Sequence, residues 1–94
     1  MRELSLVEAE ALQIIKALSS QTNLKILQLL SEEKLDISTI ATRLKLSEPS
    51  ISEGVKQLEN LQLVRTSYAA GKRGIRKVCE LAIEKLILTF KGRA

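Results

Sequence analysis

The chain has 94 residues, of which 45% are apolar and 28% are charged, and its net charge is +4 at pH 7. This length supports one domain with a single core, and the composition excludes both a disordered chain and a membrane-spanning one. Tyr68 and Phe90 are its two aromatic residues, so the chain lacks the stacking faces of a single-strand nucleic-acid binder.

Charge is distributed unevenly along the chain. Residues 1–62 carry seven Lys/Arg and nine Asp/Glu, a balance of −2, whereas residues 63–94 carry eight and two, a balance of +6. Five basic residues and no acidic residue lie in one short segment, namely Arg65, Lys72, Arg73, Arg76 and Lys77. Such a segment is typical of a surface that contacts phosphates, although cations on strand edges can also serve only to oppose aggregation.

Several classes of protein are disfavoured by what the sequence lacks. Charges interrupt the N-terminal residues, and no apolar run reaches the roughly 18 residues of a membrane span, so we expect a cytoplasmic protein without membrane contact. The chain has no histidine and one cysteine, Cys79, which cannot form an internal disulfide. We therefore predict that it is not an enzyme and that it holds no metal and no cofactor.

Helical periodicity dominates the first two thirds of the chain. The first helix is predicted from Leu6 to Leu18, with an apolar stripe broader than one packing contact requires. Ser20, Asp36 and Ser47 are predicted to cap the second, third and fourth helices, because their side-chain oxygens can accept from the free N–H groups of a first turn.

The fourth helix is predicted to be amphipathic. Ile51, Val55 and Leu58 form its inward face, and Glu48 and Pro49 lie in its first turn. Its outer face carries Ser50, Ser52, Glu53, Lys56 and Gln57. Gly54 in mid-helix indicates either a close approach to DNA or to the second helix, or a glycine that is merely tolerated.

A β-hairpin is predicted after the fourth helix. Gly71 and Gly74 bracket Lys72 and Arg73, which is a strong turn signal, and we predict a wing over about 63–81. Cys79 in its second strand is either a redox sensor or a small apolar residue packed under the hairpin. Tyr68 either contacts nucleic acid or covers the base of the hairpin.

A last helix is predicted from Ala82 to Lys91, apolar on almost every side. A domain this small cannot bury so much apolar surface against its own core. We expect the terminal helices, about 4–18 and 82–91, to form a dimer interface, or alternatively to pair within one chain. The predicted dimer contacts are Leu4, Val7, Ala11, Ile14, Ile83, Leu86, Ile87 and Phe90.

Three segments together resemble the ArsR-type repressors and related archaeal winged-helix regulators: KALSSQTNLKILQLL (16–30), ISTIATRLKLSEPSISEGVKQLENLQLV (37–64) and the Gly-rich basic hairpin. The resemblance implies a single winged helix-turn-helix domain, mostly α with a small β-hairpin wing. Its helix-turn-helix would span about 36–62, and two copies would join through the first and last helices.

The resemblance also implies how such a protein meets duplex DNA. The fourth helix would enter the major groove, with the wing beside the backbone. The residues facing the groove would be Ser47, Glu48, Pro49, Ser50, Ser52, Glu53 and Lys56. Those on the wing would be Lys72, Arg73 and Arg76.

The chain departs from the family pattern at several positions. Glu53 stands where many members have Arg or Gln, which predicts weak or unusual base readout. Lys45 and Gln62 stand where members commonly have glycine, and a left-handed non-glycine residue costs roughly 1–2 kcal/mol, so we expect the turns to differ. The cysteine pair of metal-binding members would fall near 36–40, where this chain reads DISTI.

The sequence therefore predicts a transcriptional regulator that binds duplex DNA, most simply a repressor acting as a homodimer. Two alternatives stay open. One is a low-specificity architectural DNA-binding protein, and the other is a protein-interaction adaptor whose acidic residues Glu48 and Glu53 meet a basic partner. The sequence identifies no small-molecule effector.

Overall fold

A computed structural model describes the backbone of residues 2–5 and 9–90 and the side chains of residues 9–90. Its helices are α1 (Ala9–Leu18), α2 (Gln21–Leu30), α3 (Ile37–Leu44) and α4 (Glu48–Asn60). Its strands are β1 (Arg2–Ser5), β2 (Leu35–Asp36), β3 (Val64–Gly71), β4 (Gly74–Leu81) and β5 (Leu86–Thr89). The mostly helical winged helix-turn-helix fold that the sequence predicts is confirmed.

Three helices begin at the predicted capping residues. Each cap accepts a hydrogen bond from the backbone N–H three residues later: Ser20 from Asn23 at 3.2 Å, Asp36 from Thr39 at 2.7 Å, and Ser47 from Ser50 at 3.2 Å. These bonds satisfy N–H groups that have no partner within the helix. Pro49 lies in the first turn of α4, as predicted.

The core lies between the helices and the base of the hairpin. Its fully buried apolar side chains are aliphatic and include Ile14, Ile26, Ile40, Ile51, Val55, Leu58, Leu63 and Val64. Because α4 supplies three of them, this helix is held along one side and leaves its opposite side exposed.

The wing is a three-stranded antiparallel sheet in the order β2-β4-β3. Strands β3 and β4 pair from Val64 opposite Leu81 out to Gly71 opposite Gly74, which places the next two residues, Lys72 and Arg73, in the turn. Gly74 has a φ of 114°, a conformation that glycine adopts without strain. Strand β2 joins the hairpin to the segment that begins α3.

The prediction of a helix over 82–91 is wrong. Leu86–Thr89 forms β5, which pairs in parallel with β1. Leu86 and Leu88 both pack against the core, and their spacing of two residues is that of one face of a strand. A short run that is apolar on all sides does not distinguish helix from strand, and the β-branched Ile87 and Thr89 favour the strand.

The first helix is also shorter than predicted, since α1 begins at Ala9. Leu4 lies in β1, where pairing with β5 satisfies the backbone, so the prediction of a helical segment from residue 4 is wrong. The predicted start at Leu6, together with Val7, falls outside the described residues.

Two turns use left-handed residues that are not glycine. Lys45 after α3 has a φ of 57°, and Gln62 after α4 has a φ of 62°. In each turn the next N–H reaches back to the helix, Leu46 to the carbonyl of Ala41 at 3.0 Å and Leu63 to that of Leu58 at 2.9 Å. The expectation that these turns differ from the glycine form is therefore wrong, because this closing pattern is retained with a Cβ in place.

Replacing Lys45 or Gln62 with glycine should raise the free energy of unfolding by about 1 kcal/mol, because the strain of a left-handed Cβ is removed. Urea denaturation of each variant measures this change. Lys45→Ala and Gln62→Ala are matched controls, since they lose the long side chain but keep the Cβ. Equal stabilities of the glycine and alanine variants would contradict the left-handed turns.

Candidate nucleic-acid interface

The outer face of α4 is polar and free of contacts with the core. Ser50, Ser52, Glu53, Lys56 and Gln57 are all exposed, as are Ser47, Glu48 and Pro49 at the start of the helix. Asn60 extends this face by one turn beyond Lys56 and is also exposed. The sequence analysis missed Asn60, although its spacing of four residues from Lys56 was a sufficient signal.

Gly54 is required by the packing of α4 against α2. A Cβ at this position would lie 2.6 Å from Oδ1 of Asn23 and 3.1 Å from Cδ1 of Ile26. Of the alternatives left open for Gly54, the close approach to the second helix is therefore the one found. Asn23, which the sequence analysis missed, is 2% exposed and touches both helices.

The basic residues of the wing form two groups. Lys72 and Arg73 occupy the tip, and among the described residues neither has an ion-pair partner. Because the tip extends away from the core, these two side chains can meet an external anion without first losing an internal one.

The other three cations of the wing pair with carboxylates that come from elsewhere in the chain. Arg65 lies 3.7 Å from Glu80, Arg76 lies 3.2 Å from Asp36, and Lys77 lies 3.8 Å from Glu59. Glu80 also lies 3.4 Å from Lys34. The segment that is free of acidic residues in sequence is thus partly neutralised in space, and a phosphate would have to replace a carboxylate at each of these cations.

Asp36 connects the wing to the helix-turn-helix. One of its carboxylate oxygens caps α3 at Thr39, and the other accepts from Nη1 of Arg76 at 3.2 Å. The carboxylate is 8% exposed. Hydrogen bonds from Thr39 hold the pKa of Asp36 below its ordinary value, and the charge of Arg76 adds to this effect while burial opposes it.

A second connection lies on the opposite face of the hairpin. The hydroxyl of Thr66 donates to Glu59 near the end of α4, and Lys77 pairs with the same carboxylate. Further out on that face lie Tyr68 and Ile75, which are 72% and 78% exposed. Tyr68 therefore does not cover the base of the hairpin, and its ring is available to a partner.

Cys79 is fully buried beneath the hairpin. Burial raises the pKa of its thiol to about 11, so at neutral pH it is protonated and a poor nucleophile. This confirms the interpretation of Cys79 as a small apolar core residue.

The predicted dimer contacts are dispersed through the fold. Ala11 and Ile14 are 1% and 0% exposed within one chain, so their assignment to a subunit interface is wrong: they fill the core of the monomer. Ile83, Leu86 and Ile87 are half-buried. The exposed apolar residues of α1 are Leu12 and Ile15, and Phe90 just after β5 is 85% exposed.

The described residues contain no group of three or more His, Cys, Asp and Glu side chains that could hold a metal ion. Among the helices described, none combines the length and the apolar character needed to cross a membrane.

Asp36→Asn should weaken the dependence of stability on acid. The wild-type carboxylate has a lowered pKa in the folded state, so its stabilising contribution is present above about pH 4 and is lost as the pH falls through the folded value. Asparagine keeps the cap and removes the charge, so its free energy of unfolding should fall less between neutral pH and pH 3. Parallel curves for the two proteins would contradict this role.

Asp36→Ala serves as the comparison, because it removes the cap as well. It should lose about 1–2 kcal/mol at neutral pH, measured by urea denaturation.

Residues 20–66, half of the chain, match the sequence profile of the bacterial regulatory proteins of the ArsR family. No curated protein sequence matches the chain at a significant level. The family consists of regulators rather than enzymes, as the sequence predicts.

Solved structures of regulators are similar in fold. Reduced HlyU of Vibrio cholerae superposes with a TM-score of 0.69 at 27% identity, covering 80% of this chain and 75% of that one. HlyU of Vibrio vulnificus gives 0.67 at 26% identity, covering 81% and 75%.

A homodimeric winged helix-turn-helix DNA-binding domain of Mycobacterium bovis, a possible ArsR-family transcriptional regulator, gives a TM-score of 0.67 at 25% identity, covering 78% of this chain and 64% of that one. The chain therefore belongs to the ArsR family of bacterial regulatory proteins and has the fold of its DNA-binding transcription regulators.

Proposed function

We propose that the protein is a transcriptional repressor that binds duplex DNA in the cytoplasm as a homodimer. The observation that carries this proposal is the combination of an exposed polar face on α4 with an unpaired cationic tip on the wing. Helix α4 would lie in the major groove while Lys72 and Arg73 contact the phosphate backbone. Repression would follow from occupancy of the promoter.

The composition of α4 sets the kind of readout. Its outer face presents hydroxyls, one lysine and one amide, with Glu48 and Glu53 as acidic groups and no arginine for the common bidentate contact to guanine. Phosphate contacts from the wing would then supply much of the affinity, and base contacts would be few.

The proposed dimer uses surfaces at the two ends of the chain. Leu12 and Ile15 on α1 and Phe90 after β5 expose apolar surface that one chain leaves uncovered. The similar Mycobacterium bovis domain is homodimeric. Two copies related by a two-fold axis would place their α4 helices about 34–36 Å apart, the spacing of successive major grooves.

The double variant Lys72→Ala, Arg73→Ala should weaken binding to all duplexes about equally, because phosphate contacts carry no base information. It should also flatten the salt dependence by about one unit per lost contact. Fluorescence anisotropy on a labelled duplex, titrated at several salt concentrations, measures both effects.

Arg65→Ala, Lys77→Ala is the matched control, since it removes the same charge from cations that are already paired with Glu80 and Glu59. Its effect on the salt slope should be smaller. Equal effects of the two double variants would remove the tip from its special role.

Leu12→Asp or Ile15→Asp should dissociate the dimer while leaving the monomer folded, because both side chains are exposed within one chain. Sedimentation at micromolar concentration measures the change, with circular dichroism to establish folding. Gln13→Asp, also exposed on α1, is the control. A monomeric wild type would contradict the dimer.

Two other functions make different predictions. An architectural DNA-binding protein would bind unrelated duplexes with equal affinity. An adaptor would bind no duplex at low salt, and its acidic residues Glu48 and Glu53 would instead meet a basic protein partner.

A further inference from the structure

The buried amide of Asn23 links α2 to the DNA-facing helix through both of its N–H groups. Nδ2 donates to the backbone carbonyl of Ala17 at 3.0 Å and to Oε1 of Gln57 at 2.9 Å. A backbone carbonyl can only accept, so the contact with Ala17 establishes which end of the Asn23 amide points toward it. Nδ2 is therefore the end that faces Gln57.

This arrangement determines the orientation of Gln57. Its Oε1 faces the Asn23 donor, so its Nε2 points away from α2. Because Gln57 is exposed, the group that it presents to the outside is an amide donor. A free glutamine could rotate and offer either its donor or its acceptor, whereas this one is held in one orientation.

Gly54 makes the arrangement possible. A Cβ at this position would come within 2.6 Å of Oδ1 of Asn23 and displace the amide. Asn23 is 2% exposed, so it has no solvent to turn into. Gln57 itself lines an open polar cleft between the start of α2 and α4, together with Ser50 and Glu53.

We propose that Gln57 is a specificity residue that donates a hydrogen bond to an acceptor on DNA, and that Asn23 is the residue that positions it. This rests on the proposed function. The acceptor is guanine O6 or N7 or thymine O4 on a base edge, or a phosphate oxygen; the shared requirement is an acceptor. Cytosine N4, which is a donor, is rejected in this position.

The experiment is selection from a pool of duplexes with a randomised central segment, followed by anisotropy on the enriched and unselected duplexes. Wild type, Gln57→Met, Gln57→Glu and Asn23→Ala are compared, with Ser52→Ala as the control elsewhere on α4. Gln57→Met keeps the length of the side chain and removes the donor. Gln57→Glu keeps an acceptor for Asn23 and replaces the outward donor with a second acceptor.

For a base-edge contact, wild type and Ser52→Ala enrich guanine or thymine at one position of each half-site. Gln57→Met loses about tenfold of that preference, the size of one good base contact. Gln57→Glu shifts the same position toward cytosine. Asn23→Ala weakens the preference without changing the rest of the motif, an effect that loss of packing alone would not produce.

For a phosphate contact, Gln57→Met weakens binding to all duplexes alike and leaves the enriched motif unchanged. The proposal is overturned if wild type binds DNA while Gln57→Met matches it in both affinity and motif. It is also overturned if Gln57→Glu enriches the same base as wild type, or if folded Asn23→Ala keeps the full preference.

Gln57 is exposed, so its variants remain informative even if Asn23→Ala fails to fold, a point checked by thermal unfolding. A wild-type protein that binds no duplex would instead overturn the proposed function, which separates the two failures.

Discussion

The buried carboxylate of Asp36 is the group on which the arrangement of the DNA-facing parts depends. It caps the helix that begins the helix-turn-helix and also receives the guanidinium of Arg76 from the wing. Removing either partner leaves a charge or an N–H unsatisfied, so the two parts are held in a fixed relation. Glu59 provides a second connection, through Thr66 and Lys77, on the other face of the hairpin. Helix α4 and the wing can therefore engage one duplex as a unit.

These connections use charges that would otherwise be free to meet DNA. Three of the five wing cations already have carboxylate partners, and two remain unpaired at the tip among the described residues. The wing therefore combines a rigid base with a small electrostatic contact. The same economy holds on α4, where Asn23 sets the direction of the amide of Gln57. Few contacts that are held in fixed orientations favour selectivity over raw affinity.

Local signals in the sequence predicted most of the fold and part of the site. Ser20, Asp36 and Ser47 were identifiable because capping depends on a few neighbouring residues, and the two glycines around Lys72 and Arg73 marked the hairpin. The strand at Leu86–Thr89 was not predictable in this way, because its partner β1 lies at the other end of the chain. The pairing of Arg76 with Asp36 is likewise set by tertiary structure over 40 positions. Burial of Ala11 and Ile14 rather than Leu12 and Ile15 depended on which side of α1 the core occupies.

The most direct test is the salt dependence of wild-type binding to a duplex from its own upstream region, compared with a scrambled duplex. If Lys56, Lys72 and Arg73 of each protomer are the cations that contact phosphates, a dimer has six, and log K should fall against log salt with a slope of about −5. If all five wing cations and Lys56 contributed, the slope would approach about −11. A slope near −5 with preference for the upstream duplex supports the account. A slope near −11, or no dependence on salt, would contradict it.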